Sequence, residues 1–276
     1  MQNWYKLFKL LLMSSKSDQI NLLNKDFYQT IANSFDSSRQ FAWSGWESLW
    51  QDFLSKKTKN KLETEDKFEV LDLGCGNARF YDFLSLRFIE DFGKAKNLNY
   101  FGLDYTTQLL EKCISKAQPN CRLQQADILD KDWVNIFKNS QKFDLIVLFG
   151  VMHHLYDWQT RLQLFETISS LLSSDGVFVF TTWNFTSNYL SSKITDLDSP
   201  QINQHLAKYN LTKSDFGPND YLLDWHRGKT SYRFAHDYTD IEVQNLVLKS
   251  ELELKASFLA DGKDNKSNKY WLARVR

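Results

Sequence analysis

Asp72, Asp104 and Asp127 each fall at the end of a short β-rich run, and together they can bind the parts of one ligand. The first belongs to Val70-Leu-Asp-Leu-Gly-Cys-Gly-Asn-Ala-Arg79, where a strand runs into Gly74-Cys75-Gly76 and the next residues open a helix. Glycines at such a turn let the backbone approach a ligand and adopt conformations closed to other residues. The helix start presents unpaired N–H groups and a partial positive charge. A dinucleotide-binding turn would carry a third glycine where Arg79 stands, which argues against pyrophosphate and a nicotinamide-dependent oxidoreductase. Asp72 beside a two-glycine turn instead suits a ligand with a cationic ammonium or sulfonium end. Asp104, followed by Tyr105, can accept from both hydroxyls of a ribose; it can equally cap the helix that begins near Thr106. Asp127 can accept from the amino group of an adenine while Ile128 packs on the ring, or serve as an ordinary turn residue.

The elements that must position these residues alternate from residue 68 onward. Strands are expected at Phe68–Leu73, Asn99–Asp104, Cys121–Gln125, Phe143–Phe149 and Val177–Trp183. Helical patterns separate them: one runs through about Ile89, others cover Thr107–Ala117 and Trp158–Leu172, and Asp175-Gly176 is the turn into the fifth strand. Strand–helix alternation implies a parallel α/β sheet with ligands at its carboxyl edge. The fourth run is apolar enough for a central strand buried on both faces and brings Phe149 to the same edge. Residues 184–235 are polar, contain Pro200 and Pro218, and lack the alternation, so they read as an insertion over that edge. A helix at Asp240–Ser250 and strands at Leu252–Phe258 and Tyr270–Val275 follow, the last two joined as an antiparallel hairpin. The domain expectation is a helical lid at 1–60 and one α/β domain at 61–276, with 184–236 facing the substrate.

Composition narrows the class. Hydrophobic residues make up 42% and charged residues 25%, the balance of a soluble globular chain. Lys+Arg and Asp+Glu are equal at 34 each, so no global positive field draws in nucleic acid. Nine Trp exceed what a core of this size needs, so several are expected in a pocket or lid. The three cysteines show no zinc spacing and suit a reducing compartment, which points to the cytoplasm. The Met1–Met13 segment is interrupted by Lys9 and reads as an amphipathic helix packed on the domain, with no membrane partner expected. Lys56-Lys-Thr-Lys-Asn-Lys61 reads as a solvated linker.

The segments Asp72-Leu-Gly-Cys-Gly76, Gly102-Leu-Asp104, Ala126-Asp127 and Phe143-Asp-Leu-Ile-Val closely resemble the successive motifs of class I S-adenosylmethionine (SAM)-dependent methyltransferases. The resemblance spans about residues 68–183 and implies a Rossmann-like, seven-stranded, mostly parallel sheet ending in an antiparallel hairpin. It implies SAM as cofactor, held by Asp72, Gly74, Cys75, Gly76, Asp104, Tyr105, Asp127, Ile128 and Phe149. Four further segments resemble the tRNA wobble-uridine methyltransferases that esterify 5-carboxymethyluridine, including the methyltransferase domain of AlkB-fused tRNA methyltransferases. They are Tyr28-x-x-Ile-Ala-x-x-Phe-x-x-Ser-Arg39 with Trp43, Val151-Met-His-His-Leu155 with Arg161, Asp220-x-x-x-x-Trp225, and Tyr232-Arg-Phe-Ala-His-Asp-Tyr238. In the last, Ala235 and Asp237 depart from the family pattern.

This closer resemblance puts Tyr28 and Arg39 at the cofactor, and Arg39, His154, Arg233 and His236 at the acceptor. Arg39 can clamp a carboxylate or pair with Asp36; Tyr28 can close the site or belong to a helix core; His154 can face the site while His153 packs. A carboxylate acceptor is already ionised at neutral pH and needs only donors, whereas an amine or phenol would need a base, for which His154 is the candidate. The implied acceptor is tRNA, with a small-molecule acceptor as the alternative and a non-catalytic, partner-binding protein as a third reading. Eukaryotic members of the resembled family work with a small zinc-containing partner.

Overall fold

The computed structural model describes residues 15–64, 67–93, 95–113, 119–137, 141–185, 188–225 and 230–276. The Met1–Met13 segment therefore lies outside the described residues. So do residues 114–118, on which the end of the expected Thr107–Ala117 helix falls.

Strands β1 (Phe68–Leu73), β2 (Leu98–Asp104), β3 (Cys121–Gln125), β4 (Phe143–Leu148) and β5 (Leu172–Trp183) run parallel; β8 (Leu252–Ala260) and β9 (Asn268–Val275) close the sheet antiparallel. The order is β3-β2-β1-β4-β5-β9-β8, which places the glycine turn after β1 beside the ends of β2 and β4. Period-two alternation builds two cores. Val70, Leu145, Val147, Val177 and Val179 enter one; Leu71, Leu73, Ile146, Leu148, Phe178 and Phe180 enter the other. Helix α4 (Arg79–Phe92) covers the first face with Phe80, Phe83, Leu84 and Phe88. Helices α6 (Trp158–Leu171) and α9 (Asp240–Lys249) cover the second with Leu164, Phe165, Ile168, Val243, Leu246 and Val247. Short α5 (Thr107–Glu111) follows β2. The expected turn at Asp175-Gly176 lies inside β5: residues 173–176 loop out where β4 advances from Phe143 to Leu145.

The N-terminal region divides in two. Helix α1 (Lys16–Ser37) starts at Ser15, whose hydroxyl accepts from the Asp18 N–H. Helix α2 (Ser44–Leu49) passes through a π-helical turn at Trp50–Leu54 into α3 (Ser55–Thr64). Trp46, Leu49, Trp50 and Leu54 pack in the first sheet core, so residues 44–64 belong to the body rather than to a lid. The lysine run is not a linker. It lies in α3, where Lys57 meets Asp175 at 3.0 Å and Lys61 meets Asp144 at 3.0 Å, countercharges at the start of β4 and β5 that draw the helix onto the sheet.

The insertion is ordered around short helices α7 (Asn188–Ser191) and α8 (Pro200–Ala207) and a two-stranded sheet. In that sheet β6 (Asp220–Asp224) pairs antiparallel with β7 (Tyr232–His236), Leu222 opposite Phe234. Its apolar face meets α1: Ile20, Leu22 and Leu23 cluster with Ile202, Leu206, Leu222 and Phe234, while Phe27 and Ile31 cluster with Trp225. Helix α1 and the insertion thus form one cap with its own core.

Candidate functional site: a cavity between cap and sheet

The turn after β1 takes its shape from its glycines. Gly74 has φ +76°, and a Cβ there would stand 2.4 Å from Val151 Cγ2; Gly76 has φ +56°. The Gly74 and Cys75 N–H groups donate to Leu103 O at 2.7 and 3.0 Å, binding the turn to the end of β2. The Gly76 N–H donates to Asp104 Oδ2 and the Thr106 N–H to Oδ1, both at 2.8 Å. Asp104 therefore ties the glycine turn to the chain entering α5 but does not cap that helix, whose N-cap is Thr106 without a side-chain cap bond; it lines the cavity, and each of its oxygens retains acceptor capacity.

The cavity, about 180 Å³, lies over this edge. Its floor includes Asp72, Gly74, Cys75, Gly76, Asp104, Tyr105, Asp127, Ile128 and Phe149, which brings together every residue expected at the cofactor from the sheet. Burial pushes the Asp72 carboxyl up to about 7; a hydrogen bond from the Tyr100 hydroxyl pulls the other way, and the Asp104 charge adds to the rise. Burial likewise raises Asp104, against the N–H groups that favour its charged form. Asp127 accepts from the Leu129 N–H at 3.1 Å, the turn geometry of its alternative reading, and its other oxygen pairs with Lys25.

Helix α1 forms the roof, presenting Asn21, Asn24, Lys25, Tyr28 and Phe35; Arg39 follows. The guanidinium of Arg39 lies 5.4 Å from the Phe35 ring. Asp36, its alternative partner, accepts from Asn77 Nδ2 at 2.9 Å and faces Lys112 at 3.6 Å. The Tyr28 hydroxyl meets His154 Nε2 at 2.7 Å, and His154 Nδ1 meets the Phe234 carbonyl at 2.8 Å. A carbonyl only accepts, so Nδ1 carries the proton and Nε2 receives the Tyr28 hydroxyl. Burial, with the Arg233 charge adding, pushes His154 down to about 3. His154 thus faces the cavity as expected, but it is neutral with its only N–H committed to Phe234; as a donor to an acceptor carboxylate it is corrected. His153 packs, stacked on Trp183 with centroids 3.3 Å apart.

Arg233 lines the cavity while only 7% exposed, within 4.9 Å of the Phe27 ring, 4.6 Å of Trp183 and 5.7 Å of Trp225. Among the described residues its occluded Nε has no hydrogen-bond partner, while the side chain donates a hydrogen bond to the Tyr28 hydroxyl. His236 is the second correction. Residues 233 and 236 are three apart on one strand and so face opposite sides of it. His236 instead bonds Asp220 at 2.6 Å and Glu242 at 3.2 Å, joining β6 to the start of α9, and is not among the lining residues.

Trp43, Trp46 and Trp183 line the cavity, as the tryptophan excess implies. Asn24 and Lys25 were not singled out from sequence; their signal is the helical spacing 21, 24, 25, 28 and 35, which sets them on one face with Tyr28. Arg79 and Phe80, at the start of α4, also line it.

The family described as Methyltransferase domain matches residues 64–235, from before β1 through most of β7. The chain belongs to the methyltransferase-domain family. A relative named probable tRNA methyltransferase 9B, from Bos taurus, is 22% identical over 210 residues, covering 76% of this chain and 34% of that protein. This methyltransferase-family chain therefore spans about a third of that relative's length. Among solved structures, an S-adenosylmethionine-dependent methyltransferase from Clostridium acetobutylicum matches with TM-score 0.57 at 14% identity, over 90% of this chain and 98% of its own. A structure described as a DhpI-SAM-HEP complex matches with TM-score 0.55 at 12% identity, over 95% and 100%. These likenesses establish the Rossmann-like methyltransferase fold, with the mostly parallel sheet and antiparallel final strands seen here. Among the described residues no helix is long and apolar enough to cross a membrane.

Proposed function

We propose that this protein transfers the methyl group of SAM to an acceptor that presents a carboxylate to Arg233. The observation that carries the reading is the Arg233 guanidinium on the cavity wall, 7% exposed and ringed by Phe27, Trp183 and Trp225, a buried cation that an anionic acceptor in the cavity would satisfy. SAM fits the floor of the cavity. Gly76 keeps backbone bare at the cavity, with no protein atom beyond its chain neighbours nearer than 3.9 Å to where a Cβ would stand, Asp104 keeps lone pairs for ribose hydroxyls, and Asp127 with Ile128 suits adenine. When bound, SAM supplies a methyl group on a cationic sulfonium. Asp72, raised to about 7 by burial, would return to its charged form beside that cation and balance it, and Arg39 would hold the amino-acid carboxylate. The chain's remaining task is alignment and exclusion of water by Tyr28, Phe35, Leu155 and Trp183. A His154 held near 3 is a poor base for an amine or phenol and irrelevant to an acceptor already ionised, which favours the carboxylate.

The leading acceptor is the carboxymethyl group of a modified wobble uridine in tRNA. The bovine relative's name and the Arg233 wall support it. A small acidic metabolite is the second reading, favoured by zero net charge. Methyl-labelled SAM, incubated with bulk tRNA, with tRNA lacking the modification and with small acids, separates them. Eukaryotic members of the resembled family work with a small zinc-containing partner, so the assay is run with and without one. Label confined to modified tRNA and released by mild base as methanol is expected. No label in any tRNA sinks the tRNA acceptor; base-stable label sinks the ester.

A further inference from the structure

We propose that Lys25 is a positioning residue for the adenine of the cofactor, acting through Asp127. The proposal rests on the adenosyl reading of the cavity floor given above. Lys25 stands on α1, 102 residues from its partner in sequence, and its ammonium pairs with Asp127 Oδ2. The other carboxylate oxygen accepts from the Leu129 N–H at 3.1 Å, so each oxygen has one fixed donor and keeps acceptor capacity toward the cavity that Lys25, Asp127 and Ile128 jointly line. A second pair of contacts holds the same stretch of α1 to the end of β2. The Tyr105 hydroxyl donates to Asn24 O at 3.2 Å, and Lys25 Nζ lies 5.9 Å from the Tyr105 ring centroid.

Asp127 sits just past β3, the edge strand of the sheet, with its side chain 30% exposed. Without an anchor it would lose rotamer freedom on meeting a ligand. It would also carry an unbalanced charge once a purine displaced its water. Lys25 addresses both: it orients the carboxylate before the ligand arrives and supplies the countercharge as the site is covered. The exocyclic amino group of adenine is then read by a carboxylate whose direction the cap determines.

The test compares binding of S-adenosylhomocysteine with that of its analogue carrying purine without the 6-amino group, by calorimetry on the full chain. Wild type is expected to favour the amino-bearing ligand by roughly tenfold, one charge-assisted hydrogen bond. Lys25→Met and Lys25→Gln are expected to shrink that preference to about twofold, and Lys25→Arg to retain most of it, since the lost term is orientation and charge. A merely structural Lys25 would weaken both ligands alike, so an unchanged ratio in Lys25→Met and Lys25→Gln overturns the proposal. Equal binding of the two ligands by wild type overturns it as well. Failure of wild type to bind S-adenosylhomocysteine at all would instead remove the adenosyl reading itself.

Discussion

Buried ionisable side chains at the cavity bind pH to stability in opposite directions. Asp72, raised by burial from 3.8 to about 7, stays protonated in the fold while the unfolded chain has already released the proton. Its contribution is therefore fully present below about pH 4 and drains away as pH rises to 7. His154, lowered by burial from 6.5 to about 3, acts the other way: its contribution is present above 6.5 and is lost as pH falls toward 3. Asp72→Asn, which keeps an oxygen for the Tyr100 hydroxyl, is expected to raise Tm of the ligand-free protein by roughly 2–4 °C at pH 8 and not at pH 4. Calorimetric scans at the two pH values check this, and an equal gain at both would mean the charge is not the cause. Arg233→Met removes a buried cation from the cavity wall. Steady-state kinetics on the acceptor should show KM raised about 10- to 100-fold, the worth of a charged hydrogen bond, while titration shows S-adenosylhomocysteine affinity nearly unchanged. The acidic residues were legible one by one because each lies at or just past the end of a strand. His236 was misplaced because its strand had not been recognised, and parity decides which of Arg233 and His236 can face the site.

Helices and strands were readable where their two faces differ or where both are plainly apolar. β1 and β4 are apolar apart from Glu69, Asp72 and Asp144, and the structure places both in the sheet interior. β6 escaped notice for a related reason: Leu222 packs toward α1 and Leu223 toward Phe185 and Leu190, so no polar alternation marks it inside a polar insertion. The lysine run in α3 likewise read as solvated because its partners, Asp144 and Asp175, are distant in sequence. Asn24 joins elements that sequence separates. Its Oδ1 accepts from the buried Phe234 N–H at 2.8 Å and its Nδ2 donates to His154 O at 3.3 Å. Asn24→Ala leaves that N–H without its partner and is expected to cost about 1–3 kcal/mol in urea unfolding, with m unchanged. Gly74→Ala forces a Cβ into Val151 at a left-handed φ. It should abolish the thermal shift produced by S-adenosylhomocysteine while the circular dichroism spectrum stays native.

Across the whole molecule, the two sheet cores and the cap core are separate clusters, and the cavity lies where cap meets sheet. A ligand bound there to the folded state alone stabilises by about 2.7 kcal/mol at one hundred times Kd. Thermal-shift measurements with S-adenosylhomocysteine should show this, and Asp104→Ala should erase it; a retained shift would remove Asp104 from the site. The cap's interior is assembled from a helix that precedes the family match and an insertion near its C-terminal end. The Trp225 indole donates to Ser34 at 3.0 Å and Tyr209 to Asp26 at 3.0 Å, alongside the shared apolar cluster. Evolution or engineering that retunes acceptor choice must therefore transplant helix and insertion together. A chimera that takes residues 188–236 from a homologue while keeping the native residues 16–37 would mate mismatched apolar surfaces and lose solubility before it gained a new substrate.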